Sequence, residues 1–121
     1  MNDIEKFRLK SIMAMVLNSM TAVTTILNQK NEAEILIGKY DEETDLRIKY
    51  LWRVIEDAHE VYLKKKYYDS LNELFYCFNL AKGILEKKEL YKEEVVVLQL
   101  VSFATDHLKL EFELIKIEYQ N

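Results

Sequence analysis

The chain has no proline and only two glycines, Gly38 and Gly83, in 121 residues. Proline removes a backbone donor and glycine loosens the backbone, so these two residues punctuate most folds. A chain almost without them suits long uninterrupted elements, and its breaks must be read from capping residues. Half the residues are apolar and 31% are charged, interleaved at helical spacings. The expected architecture is all-α: one domain over residues 1–121, built as an antiparallel bundle of about four long helices.

Asp3 is a cap for a first helix running to about Lys30. Ile4, Phe7, Met15 or Val16, Met20, Val23 and Leu27 trace its apolar stripe, and Ser11, Ala14, Asn18 and Ala22 trace a second stripe of small side chains. Asn28 to Asn31 reads as a polar break, and Asn31 with Glu34 has capping-box spacing. A short helix from Glu32 to about Tyr40 follows, with Gly38 near its end; the alternative is one long helix from Asn31 to Lys66. Asp41 caps a long helix whose seam is Ile48, Leu51, Trp52, Ile55, Ala58, His59 and Tyr62. Lys64, Lys65 and Lys66 close it with the charge that a helix C-terminus favours. Asp69 or Ser70 restarts the pattern, and Leu71, Leu74, Phe75, Phe78, Ala81 and Leu85 form the next apolar face.

The last third fits two readings. Val95, Val96 and Val97 are β-branched, and Leu108, Leu110, Phe112 and Leu114 alternate with charged residues, as in a β-hairpin over about 95–119. That hairpin gives an α+β alternative. Its turn would lack glycine, and Leu108, Phe112, Ile115 and Tyr119 also share a helical stripe, so a helix is the preferred reading.

Composition narrows the function. Seventeen basic and 21 acidic side chains give a net charge of −4, against the basic balance of a nucleic-acid-coating domain. A single cysteine, Cys77, forbids an internal disulfide and fits a reducing, cytoplasmic setting. Ser11 to Gln29 is uncharged and long enough to span a bilayer, which takes about 20 apolar residues. Asn18, Ser19, Thr21, Thr24, Thr25, Asn28 and Gln29 dilute it, so a buried core helix is expected and a membrane is not. The chain has no glycine-rich phosphate loop and no cysteine pair, and neither cofactor nor metal is expected.

Three constellations carry chemistry in principle. Glu56-x-x-His59 has the spacing of a carboxylate–histidine metal pair, but di-iron bundles use two such pairs and this chain has one. Arg53 and His59 form R-x5-H, which resembles the arginine–histidine motif of the HEPN superfamily of small helical-bundle proteins, which includes RNases. That resemblance covers seven residues and implies His59 as acid/base and Arg53 as the residue steadying a phosphate. Val54 stands where the family often has a polar residue. Six positions on a continuous helix also turn the two side chains about 120° apart, so a shared site needs a distorted helix or a second chain. Lys64, Lys65 and Lys66 beside Tyr67 and Tyr68 combine charge with aromatic planes, the ingredients of a nucleic-acid contact. The plainer reading of this cluster is a solvated helix end with its tyrosines turned inward. Cys77 has no base or cation at helical spacing to lower its pKa, so it is expected as a packing residue.

What remains is apolar surplus. Eight tyrosines, five phenylalanines and a tryptophan exceed what one stripe per helix absorbs. The first helix is apolar over much of its girth from Ile12 to Leu27, and the last from Val95 to Ala104. Another protein is the usual cover for such faces. The expected function is therefore non-enzymatic: protein–protein contact, most simply a two-fold homodimer through Met15, Met20, Val23, Leu100 and Phe103. An RNase using Arg53 and His59, and a nucleic-acid module using Lys64 to Lys66, are the alternatives.

Overall fold

A computed structural model of the chain describes residues 1–63 and 67–120, apart from the side chains of His59, Val61, Tyr62 and Leu63. Four α-helices follow one another: α1 (Asp3–Leu36), α2 (Glu42–Leu63), α3 (Tyr67–Glu86) and α4 (Lys92–Gln120). Among the described residues there is no strand. The fold is an all-α bundle.

Caps set the boundaries. Asn2, one residue earlier than expected, caps α1: its Oδ1 accepts from the Glu5 backbone N–H at 2.7 Å. The break expected at Asn28–Asn31 does not occur, and α1 continues to Leu36. The polar side chains there find partners without leaving the helix. Asn28 donates to Glu32 at 3.2 Å, and buried Asn31 donates to Asp45 on α2 at 3.1 Å. The chain turns at Gly38, whose φ of 79° is open to glycine at little cost. The Gly38 N–H bonds the Ile35 carbonyl and the Lys39 N–H bonds the Glu34 carbonyl, the paired closure of a helix C-terminus. Asp41 caps α2 as expected, accepting from the Glu43 N–H at 3.2 Å and the Thr44 hydroxyl at 2.6 Å. These bonds, the Thr44 hydroxyl first, hold the Asp41 carboxyl below its usual range. At the start of α4, Glu94 accepts from the Tyr91 N–H at 2.7 Å.

The hairpin alternative is therefore excluded: residues 92–120 form one helix. The period-two run from Leu108 to Leu114 arises because α4 is apolar on two opposite faces. Leu108 and Phe112 are buried, whereas Leu110 and Leu114 are exposed.

Ion pairs at both ends fix the order of the bundle. Arg8 pairs with Glu118, and Lys30 with Glu94, so α1 and α4 run antiparallel. Tyr68 donates to Glu5 at 2.7 Å and Lys88 pairs with Glu34 at 2.8 Å, so α1 and α3 run parallel. The α1–α3 pair is the centre. Helix α2 packs against both of its members, α4 mainly against α1, and α2 and α4 do not meet among the described residues.

The core is filled by Leu9, Ile12, Met13, Val16, Met20, Val23 and Leu27 of α1 against Leu71, Leu74, Phe75, Phe78, Ala81 and Leu85 of α3. Ile48, Leu51, Val54 and Ala58 close one side; Leu98, Leu108, Phe112 and Ile115 close the other. The apolar stripe expected at the start of α1 is displaced: Ile4 and Phe7 face water, and Leu9 opens the buried stripe. By length and composition α1 is long and apolar enough to cross a membrane, and 44% of its apolar stretch is buried against the other helices.

Candidate interaction surface

Helix α4 carries two apolar seams with alternating spacings of three and four residues. The inner seam is Leu98, Val101, Thr105, Leu108, Phe112, Ile115 and Tyr119, all buried or half-buried. Phe112 anchors it, with its ring 5.6 Å from Phe75 and 5.8 Å from Tyr68. The Lys109 and Lys116 ammonium groups lie 5.3 and 4.5 Å from the same ring.

The outer seam is Val96, Leu100, Phe103, His107, Leu110, Leu114 and Ile117. Two positions of offset place it about 160° around the helix from the inner one. Leu100, Phe103, Leu110, Leu114 and Ile117 are between 60% and 66% exposed. His107 is also exposed and meets Phe103 edge-on, with centroids 4.8 Å apart. From Val96 to Ile117 the strip is about 32 Å long. The α1–α4 register set by Arg8 and Glu118 brings exposed Ile4 and Phe7 to the level of Ile117.

Acidic residues collect along one half of the flanks. Lys92, Val97, Gln99 and Ala104 border the first half of the seam; Asp106, Glu111, Glu113 and Glu118 border the second. Two of those carboxylates are engaged within the chain. Lys109 and Lys116 pair with Glu113 at 3.2 and 3.3 Å and hold its carboxyl below the usual range, while Arg8 pairs with Glu118.

The residues expected at an interface divide between the two environments. Leu100 and Phe103 stand on the outer seam, and Met15 on α1 is 46% exposed. Met20 and Val23 are fully buried in the chain's own core and offer a partner nothing. The error came from the lack of charge on either side of α1, which hides the difference between its inner and outer faces. Ala14 and Asn18 of the small-residue stripe face water, while Ser11 and Ala22 are half-buried. Leu110, Leu114 and Ile117 were not among the residues expected at an interface, because the helical reading followed the stripe of Leu108, Phe112, Ile115 and Tyr119 and set them merely beside it. Their three-and-four spacing with Leu100 and Phe103 was the available signal.

Arg53 is exposed and lines a cleft of about 190 Å³ between α2 and α3 with Tyr50, Asp57 and Glu73. Helix α2 passes through positions 53 and 59 without a break, so the helical distortion that would bring these two positions together is absent. The His59 side chain and residues Lys64, Lys65 and Lys66 lie outside the described residues. Cys77 is buried, which pushes its thiol pKa up, with its sulfur 4.0 Å from the Tyr50 hydroxyl. Among the described residues no three His, Cys, Asp or Glu side chains group to hold a metal ion. No protein family matches the chain, and neither a curated protein nor a solved structure shows significant similarity to it.

Proposed function

We propose that this is a cytoplasmic, non-enzymatic helical-bundle protein that acts by protein–protein contact through the outer face of α4. One observation carries the reading: a continuous apolar strip with heptad spacing stands on the side of α4 turned away from its own core. The exposed patches of monomers rarely exceed a few hundred Å². Helices that expose a three-and-four-spaced stripe receive another helix along it. The enzymatic alternative has less support, because its two residues stand on one unbroken helix with their positions turned apart.

The test is affinity capture from native cells at high salt, comparing wild type with Leu114→Glu. Leu114 is 60% exposed, so the charge leaves the fold intact. A stoichiometric protein, whether another chain or a second copy of this one, is retained by the wild type and lost from the variant. Capture unaffected by Leu114→Glu contradicts the reading. So does RNA cleavage by the purified protein that disappears in His59→Ala.

A further inference from the structure

The occupant of the outer α4 face is open to argument from area, spacing and charge. Five side chains at 60–66% exposure leave on the order of 100 Å² each in water. With Val96, His107 and the flanking stems the strip reaches about 700–800 Å², the share of one partner in a standard stable interface. A three-and-four-spaced stripe is itself the shape that receives such a stripe, knobs of one seam filling holes of the other. A second copy of α4 therefore matches it in length and in spacing.

Charge chooses the direction. In a parallel pair, Asp106 lies beside the partner's Glu111, and Glu113 beside the partner's Glu118; two-fold symmetry repeats both contacts, giving four acid–acid approaches. In an antiparallel pair the acidic half of one flank meets the half of the other that carries no carboxylate. Glu111 then faces the partner's Ala104, and Glu118 the partner's Val97. The remaining acid–acid contact joins Asp106 to the partner's Glu113, a group already held by Lys109 and Lys116, and two-fold symmetry repeats it, giving two approaches in place of four. Like charges side by side weaken a helix pair, so the antiparallel arrangement is favoured.

We propose that α4 pairs with α4 of a second copy of this chain, antiparallel about a two-fold axis close to His107. This rests on the outer face being a protein contact. It layers Leu100 on the partner's Ile117, Phe103 on the partner's Leu114 and His107 on the partner's Leu110. The interface is isologous and closes at two copies.

Cysteine cross-linking reads the arrangement. Leu100→Cys, His107→Cys and Ile117→Cys all fall at exposed positions, whereas Cys77 is buried and gives a low background. In the antiparallel pair each Leu100 lies about 25 Å along the axis from its copy, so a short bis-maleimide does not join it to itself. The proposal expects His107→Cys to link to itself, Leu100→Cys and Ile117→Cys to stay single when alone, and the two to link when mixed. Self-linking at Leu100→Cys or Ile117→Cys means a parallel pair and overturns it. No link for any variant means no second copy on this face, and overturns it too. In that case, capture of a different protein that Leu114→Glu abolishes still supports the contact reading. Capture indifferent to Leu114→Glu removes the contact reading as well, so the two failures are told apart.

Discussion

Phe112→Ala asks which of the two apolar faces of α4 is turned toward the bundle. Phe112 is fully buried, touches the rings of Phe75 and Tyr68, and is covered by Lys116. Removing such a ring costs about 3–5 kcal/mol, from lost transfer and a cavity that does not fully close, and the lost aromatic pairs place this site toward the upper end. For a domain of this size that lowers the melting temperature by roughly 15 °C. Phe103 is the same residue type on the other seam, at 66% exposure. Its truncation alters the stability of the single chain by about 0.5 kcal/mol. Urea unfolding followed by helical circular dichroism, at low protein concentration and again tenfold lower, separates the two. Equal costs, or the larger cost at Phe103, would refute the facing of α4, because they require the helix to be turned by about 160° with Leu100, Leu110 and Leu114 inside.

Other outcomes follow from local structure. Gly38→Ala lowers stability by about 1 kcal/mol through its φ of 79° alone, since nothing lies within 4 Å of the added methyl, whereas Gly83→Ala in the last turn of α3 raises stability by about 0.5 kcal/mol; a thermal melt of each checks the opposite signs. Asp41→Ala removes both cap contacts at the start of α2 and costs about 1 kcal/mol by the same assay. Asp41, Asp45, Glu94 and Glu113 titrate lower in the folded chain than in the open one, so their stabilisation is full above the ordinary carboxylate values of 3.8–4.5 and is lost as pH falls below them. Burial raises Cys77 from 9.0 and Tyr50 from 10.0 to about 12, so their contribution is full below those ordinary values and is lost as pH rises past them. Melting temperature therefore falls as pH drops below about 4 and again as it rises past about 9; a melting temperature that holds steady or rises along either limb contradicts the assignment.

The sequence announced the helices through what it lacks. Without proline, and with glycine at only two places, long elements were unavoidable, and Asp41 marked its boundary by residue type alone. It did not announce where α1 ends, because Asn31 looks like a cap until Asp45 supplies a buried partner across the bundle. Nor did it separate the faces of α1, whose uncharged middle lets Met20 and Val23 look as exposed as Met15. In α4 two seams on opposite sides of one helix produce the same alternation as one face of a strand. Only the packing of Phe112 against Phe75 and Tyr68 fixes which seam is inside, and the candidate surface is what that packing leaves over.

Sedimentation velocity of the wild type and of Leu110→Glu across a hundredfold range of concentration tests the outer face of α4 most directly. Leu110 is 64% exposed in the single chain, and two-fold symmetry places the new charge in the interface twice. The account predicts a wild-type dimer and a folded monomeric variant, with dimer affinity lowered by roughly 100-fold or more. A wild type that stays monomeric throughout, or a dimer that Leu110→Glu leaves unchanged, would contradict it.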